Sequence, residues 1–124
     1  MISNNTTSTK KVASVTNKVY ILMDGGHDYS AAKEFGELVM CDLPPSASYD
    51  VARVYAILKE KMLDLQETDY IVVSGLTTFC CVATALAMDW CSRVNLLLFS
   101  EGKYLAKTIV SDTTYLEPEE SEDD

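Results

Sequence analysis

Two short segments carry the residues whose types could do chemistry. The first is Asp24-Gly25-Gly26-His27-Asp28, and the second includes Ser74, Gly75, Thr77, Thr78, Cys80 and Cys81. Two carboxylates, an imidazole and a thiol within one crevice could serve general acid–base or nucleophilic catalysis. A helix that begins at the threonines would present unpaired N–H groups and a positive dipole end, which favour an anion and the thiolate form of a nearby cysteine.

The same residues also have structural interpretations. Gly25-Gly26 suits a turn after a strand, and Asp28 could act only as the cap of a short helix. Cys41, predicted at the end of a buried strand, has the character of a small hydrophobic residue. For Cys80 and Cys81, packing of an apolar helix and reactivity both remain open.

A parallel sheet would bring the two segments together. Short apolar runs bounded by turn residues predict strands over 19–23, 38–41, 70–74, 94–99 and 104–110. Helices are predicted over 30–35, 51–65 and 77–91. In parallel α/β sheets ligands gather at the carboxyl ends of the strands, so both segments are expected to line one crevice.

The two longer helices differ in their apolar pattern. The helix over 51–65 has a single apolar stripe, with Ser48 as its predicted cap, and its stripe is Val51, Val54, Tyr55, Leu58, Met62 and Leu65. The helix over 77–91 is apolar nearly all round, so it must be covered on more than one side. The sheet and either the terminal arms or a second subunit are expected to cover it, and the second alternative predicts a homo-oligomer in which helix 77–91 makes the contact.

The order of the predicted elements indicates one α/β domain. We expect a three-layer Rossmann-like domain with a mostly parallel sheet of about five short strands. The link from Ser100 to Lys103 is too short for a crossover, so the last two strands should form an antiparallel hairpin. The predicted organisation is a polar N-terminal arm (1–16), the domain (17–111) and an acidic C-terminal tail (112–124).

Charge is distributed unevenly along the chain. The net charge is −9, and the seven acidic residues after position 111 leave the rest at −2. The chain contains no basic patch interleaved with aromatic residues, which disfavours nucleic-acid binding. It also contains no apolar run of about 18 residues and begins with a polar stretch, so neither a membrane span nor a secretory signal is expected. We expect a cytoplasmic protein.

The four cysteines are predicted to be free thiols. Without a secretory signal a disulfide framework is not expected, and Cys80 and Cys81 are adjacent in sequence. A zinc site is not expected because the chain has no C-x-x-C pair and His27 is its single histidine. The glycine-rich signatures of P-loop ATPases and dinucleotide-binding enzymes and the G-x-S-x-G elbow are absent, and no cofactor is predicted.

Two patterns resemble those of the isochorismatase and nicotinamidase group of cysteine hydrolases. That family has a first strand ending in D-x-x-x-D and an aromatic residue, as in Asp24, Asp28 and Tyr29. Its G-x-x-T-x-x-C-V pattern is matched by Gly75, Thr78, Cys81 and Val82. The resemblance implies a Rossmann-like fold, Asp24 as acid/base, Cys81 as nucleophile toward an amide or ester, and an oxyanion hole of backbone N–H groups. It covers residues 19–29 and 70–85, and the family's catalytic lysine has no counterpart at a strand end.

Three classes of function follow from these observations. The first is a Rossmann-like domain that binds a nucleotide or other anionic metabolite, with the candidate ligand-binding residues Gly25, Gly26, His27, Asp28, Ser74, Gly75, Thr77 and Thr78. The second is a small cysteine hydrolase that uses Cys81 with Asp24 or His27. The third is a homo-oligomeric interaction or assembly protein, and the small size of the chain is compatible with a viral source.

Overall fold

The computed structural model describes residues 16–111, which form a five-stranded sheet and two α-helices. The strands are β1 (Lys18–Ile21), β2 (Glu37–Met40), β3 (Tyr70–Val72), β4 (Arg93–Ser100) and β5 (Lys103–Val110). The helices are α1 (Val51–Lys61) and α2 (Thr77–Trp90), and two 3₁₀ helices span Ser30–Glu34 and Pro45–Ala47. The predicted tail and all of the predicted arm except Thr16 lie outside the described residues.

The strand order is β2-β1-β3-β4-β5. The first four strands run parallel to one another, and β5 is antiparallel to β4. Glu101 and Gly102 form the two-residue turn between β4 and β5 with φ values of 52° and 84°, as a hairpin turn of the primed type requires. The predictions of an α/β fold, a mostly parallel sheet and an antiparallel C-terminal pair are therefore confirmed.

Side chains of the sheet alternate between two apolar cores. Tyr20 and Ile71 join the larger core, to which α1 and α2 contribute Leu58 and Phe79. The opposite face holds a smaller core of Val19, Ile21, Tyr29, Ala32, Val72, Leu97 and Tyr104. Both α-helices cover one face, whereas the other is covered by the 3₁₀ helix Ser30–Glu34 and the residues beside it. The predicted three-layer Rossmann-like arrangement is not confirmed.

The structure corrects several local predictions about the helices. The cap of α1 is Asp50 rather than Ser48, because the Asp50 side chain accepts a hydrogen bond from the Arg53 N–H at 3.1 Å. Val51 and Tyr55 are 56% and 43% exposed, since only one narrow side of α1 packs on the core. The helix α2 begins at Thr77, and no side chain caps it. The predicted helix over 30–35 is 3₁₀.

A polar network at the amino edge of the sheet fixes how the strands meet. Asp69, the buried carboxylate of this region, accepts hydrogen bonds from the Lys18 and Gln66 N–H groups at 2.9 and 2.8 Å. The Asn95 amide donates to the Asp69 carbonyl at 2.9 Å and accepts from the Thr108 hydroxyl at 2.8 Å. These bonds tie β1, β3, β4 and β5 together at the edge opposite the predicted site. Within residues 16–111, neither helix has the length and apolar character needed to cross a membrane.

Candidate functional site at the carboxyl edge of the sheet

A concave site of about 460 Å³ lies at the carboxyl ends of β1, β3 and β4. We call it the aromatic pocket, and it is lined by His27, Asp28, Tyr29, Ser74, Gly75, Phe99 and Tyr104. The chain passes from β1 to β2 on one side and then crosses to β3 on the other side of β1, and the pocket lies at this reversal of strand order. Ligands commonly bind at such reversals. The structure thus brings four predicted residues together: His27, Asp28, Ser74 and Gly75.

Tyr29 connects the two predicted segments. Its hydroxyl lies 3.3 Å from the Met23 carbonyl and 3.3 Å from the Ser74 hydroxyl oxygen. Since a carbonyl only accepts, the single Tyr29 proton is donated to Met23, and Ser74 then donates to the Tyr29 oxygen. With its proton engaged in this way, Ser74 offers the lone pairs of its oxygen to a ligand.

Gly75 lets the turn after β3 approach the segment after β1. Its φ of 96° lies in the left-handed region, and a Cβ at this position would be 3.0 Å from Cγ of Met23. Any larger residue would therefore be strained in its backbone and crowded against Met23. The backbone conformation and the contact with Met23 therefore explain the glycine at position 75 without a ligand.

Asp28 lines the pocket and also begins the 3₁₀ helix Ser30–Glu34. Its Oδ1 accepts a hydrogen bond from the Ser30 N–H at 2.9 Å. The backbone and side-chain hydrogen bonds from Ser30, and to a smaller degree the charge of Lys33, lower the pKa of Asp28 below its usual value. The carboxylate is therefore fully ionised near neutral pH.

Aromatic rings form much of the remaining wall. The rings of Phe99 and Tyr104 meet edge to face with centroids 5.1 Å apart, and His27 meets Tyr29 in the same way at 6.0 Å. Burial, followed by the charges of Tyr29 and Asp28, raises the pKa of Tyr104 above its usual value. The Tyr104 hydroxyl is therefore protonated near neutral pH.

Sequence reasoning missed Phe99 and Tyr104. The rule that placed the site at strand ends also applies to β4, which runs parallel to β3 and ends at Ser100. Phe99 is one residue before that end, and the hairpin register places Tyr104 directly opposite it. Applying the rule to β4 would have found Phe99, and the short turn would then have led to Tyr104.

Other predicted site residues lie nearby but do not line the pocket. Asp24 accepts a hydrogen bond from the Gly26 N–H at 3.1 Å, which makes a local turn between exposed residues. A Cβ on Gly25 would be 3.3 Å from the His27 ring. Thr77 and Thr78 form the first turn of α2. Their predicted ligand contacts stay predictions.

The thiols of α2 lie in a different place. Cys80 and Cys81 line a groove of about 490 Å³ between α2 and β4, on the sheet face opposite Phe99 and Tyr104. We call it the α2 groove, and its lining is Val73, Cys80, Cys81, Thr84, Ala85, Leu96 and Leu98. The structure therefore does not bring the Cys81 thiol into the pocket that contains His27 and Asp28.

Burial outweighs the helix dipole at Cys80. The Cys80 thiol donates a hydrogen bond to the Ser74 carbonyl at 3.6 Å. Burial raises the pKa of Cys80, whereas the position in the first turn of α2 had predicted a lower value. Burial likewise raises the pKa of Cys41 to about 11. All four cysteines are unpaired, and no group of three or more His, Cys, Asp or Glu residues among positions 16–111 could hold a metal ion.

The chain matches a known protein family over most of its length. Residues 12–110 match the family model described as phage Pam3 gp32-like protein. No curated protein and no solved structure matches the chain. The match spans most of the chain and points to a phage family, so the resemblance to isochorismatase and nicotinamidase-like cysteine hydrolases is wrong. The residues behind that resemblance have local structural reasons, since Asp28 begins a 3₁₀ helix and Gly75 makes a tight turn.

Proposed function

The chain belongs to the phage Pam3 gp32-like protein family, and from that premise we propose that it is a bacteriophage interaction protein that self-associates through the free edge of its sheet. The observation that carries the proposal is the exposed apolar edge strand β5. The occupant of this edge is a second copy of the chain. The contact predicted for helix 77–91 is thereby extended to include β5.

β5 has an edge that is available for pairing. It pairs with β4 on one side, and no described residue pairs with its other side. The Ser111 N–H donates to the Ser92 carbonyl at 2.8 Å. Because bonded positions in an antiparallel ladder alternate, the residues at 103, 105, 107 and 109 bond to β4, and those at 104, 106, 108 and 110 direct their N–H and C=O groups outward.

The same strand exposes apolar side chains. Leu105 and Ile109 are 39% and 37% exposed, and Leu105 lies opposite Leu98, which is 36% exposed. Leu98 also lines the α2 groove, so the apolar surface continues from β5 over β4 to α2. A long edge strand with an apolar side is normally protected by pairing or by a covering element.

A two-fold axis at Ala106 satisfies these constraints. Pairing β5 antiparallel to its copy around this residue joins outward-directed backbone groups of both strands. It places Leu105 of one copy opposite Lys107 of the other, so that the lysines of the two copies do not face each other. The two sheets would then form one continuous ten-stranded sheet, and the α2 grooves would flank the new interface.

A proline at the edge tests the pairing directly. In Ala106→Pro the outward N–H is removed, while the bonds between β4 and β5 are preserved. The matched control Ala106→Val keeps the N–H. We expect sedimentation equilibrium to give twice the monomer mass for the wild type and for Ala106→Val, and the monomer mass for Ala106→Pro. Circular dichroism verifies that both variants are folded.

A charge substitution tests the apolar part of the interface without proline. We expect Leu105→Lys to weaken self-association, whereas Leu63→Lys, at a leucine that is 67% exposed on another part of the surface, should leave it unchanged. A wild-type protein that sediments as a monomer at every concentration would contradict the proposal. So would an Ala106→Pro protein that is folded and dimeric.

A further inference from the structure

We propose that the aromatic pocket binds a guanidinium group, carried by an arginine side chain of a partner protein or by a free small molecule. This inference goes beyond self-association, because the pocket is on the sheet face opposite the α2 groove. It concerns the class of ligand: the sequence predicts an anionic ligand at this site, whereas we propose a cationic one. Three features of the pocket carry it: its hydrogen-bond acceptors, its aromatic rings and the absence of lysine and arginine from its lining.

The polar side chains of the pocket are arranged as acceptors. Asp28 is ionised and, although one oxygen receives the Ser30 N–H, its carboxylate retains free lone pairs. The Ser74 proton is engaged with Tyr29, so the Ser74 oxygen can accept. A guanidinium group supplies five donors in a planar fork and cannot lose its charge, so it complements a carboxylate and a neighbouring hydroxyl oxygen.

The aromatic wall suits a flat cation. The side chain of Phe99 is 57% exposed, although it is held edge to face against Tyr104. The exposed ring therefore offers a face on which a flat ligand can stack. A guanidinium plane is weakly hydrated and stacks on aromatic faces, whereas an ammonium ion is compact and strongly hydrated.

The lining provides little to hold an anion. Of the described residues that line the pocket, none is lysine or arginine. Lys33 acts on the Asp28 carboxylate from outside the lining, and its effect is smaller than that of the Ser30 hydrogen bonds. A phosphate in the pocket would therefore face the Asp28 charge without a lysine or arginine in the wall to compensate it.

Titrations followed by ¹⁵N–¹H NMR test the ligand class. The probes are ethylguanidinium, ethylammonium, ethylurea and inorganic phosphate, and the reporters are the amide signals of His27, Gly75 and Phe99. We expect saturable shifts with ethylguanidinium, weaker binding of ethylammonium and no saturable binding of the neutral urea or of phosphate. Saturation by phosphate, or equal shifts with the urea and the guanidinium, would overturn the proposal.

Three variants of the full chain locate the site. In Asp28→Asn the carbonyl oxygen that accepts from Ser30 is kept and the charge is lost, and we expect about tenfold weaker binding. Phe99→Leu should weaken binding about threefold through loss of stacking. The matched control is Asp24→Asn, because Asp24 is another exposed carboxylate of the same segment that lies outside the lining, and its affinity should match that of the wild type. Equal losses in Asp28→Asn and Asp24→Asn would show only general charge attraction and contradict a specific site.

A final pair of probes distinguishes the source of the group. Ethylguanidinium represents a free ligand, and N-acetyl-arginine methylamide represents an arginine within a protein chain. Tighter binding of the arginine derivative would assign the pocket to a partner's side chain. Tighter binding of ethylguanidinium would assign it to a small molecule, and binding of neither would overturn the proposal.

Discussion

Neighbouring residues of the β4–β5 hairpin face two surfaces of different chemistry. Phe99 and its opposite residue Tyr104 line the aromatic pocket. Leu98 and its opposite residue Leu105 lie on the other face, where Leu98 lines the α2 groove. The pocket combines a carboxylate, hydroxyls and rings, whereas the groove consists of apolar side chains, two thiols and Thr84. Because successive side chains of a strand point to opposite faces of the sheet, a single hairpin can contribute to two different candidate binding surfaces.

The two regions also differ in how they are built. The pocket depends on specific hydrogen bonds and on the left-handed conformation of Gly75. The groove depends on the packing of α2 against the sheet, where Phe79 and Ala83 are fully buried. Substitutions near the pocket should therefore act through geometry, and those on the groove side through packing and burial.

The largest expected effect is the difference in stability between substitutions on the two faces of β4. Leu97 is fully buried in the core beneath the pocket, and we expect Leu97→Ala to lower the free energy of unfolding by about 2–5 kcal/mol. Leu98 is 36% exposed on the groove side, so Leu98→Ala should cost less than about 1 kcal/mol. Urea denaturation of both variants measures the difference. Equal losses would mean that the two faces of β4 are buried alike.

The next effect concerns the geometry of the pocket. We expect Gly75→Ala to cost about 2 kcal/mol, because it combines the strain of a positive φ with contact against Met23. The matched control is Gly102→Ala, where φ is 84° but a Cβ would have no neighbour within 4 Å. That control should cost about 1 kcal/mol from strain alone. Thermal unfolding of the two variants isolates the packing contribution, and identical losses would contradict it.

A pH dependence is expected from Cys41 in the larger core, which lies on the same face of the sheet as the α2 groove. Burial raises the pKa of Cys41 from 9.0 to about 11, so folding favours the neutral thiol. The stabilisation is complete below pH 9 and is lost as the pH rises toward 11, by about 1 kcal/mol per pH unit. Cys41→Ala should reduce this loss, measured as urea midpoints between pH 9 and 11. Burial, with smaller effects of Asp69 and Cys41, raises the pKa of Tyr20 to about 12, so Cys41→Ala removes only the small Cys41 part of the Tyr20 contribution. Parallel curves for the two proteins would refute the assignment to Cys41.

The smallest expected effect tests the hydrogen bonds of Tyr29. Tyr29→Phe removes the contacts to Met23 and Ser74, and we expect a loss of about 0.5–1 kcal/mol because both distances are long for a hydroxyl donor. It should also weaken guanidinium binding, since Ser74 then keeps its proton free to face the ligand. Tyr49→Phe, at a tyrosine that is 98% exposed, is the control. The same stability change in both variants would argue against the bridge.

Much of the fold followed from local patterns. The apolar runs and turn residues predicted all five strands within a few residues, and the short link before Lys103 predicted the hairpin. Boundaries and caps were less accurate, because Asp50 and Ser48 are equally good caps by residue type and only the first helical turn selects between them. Val51 and Tyr55 matched the helical stripe but are exposed, since the pattern does not reveal how wide a strip of α1 the core covers.

The candidate site was predictable in part. Strand ends gave His27, Asp28, Ser74 and Gly75, because parallel strands bring their carboxyl ends to one edge. The direction of the Cys81 side chain was not predictable, because it depends on how α2 is rotated against β4. The rotation places Cys81 in the α2 groove, away from the histidine and carboxylate with which the sequence had grouped it.

By itself, the sequence determined the α/β class, the hairpin and the edge at which polar residues collect, because periodicity and turn chemistry are local properties of the chain. The tertiary structure decided which of those residues share a surface. It joined Phe99 and Tyr104 to the predicted loop and assigned the thiols to the opposite face. It left β5 with an unpaired edge among the described residues. These outcomes depend on strand order and helix rotation, which are set by contacts between residues far apart in the chain.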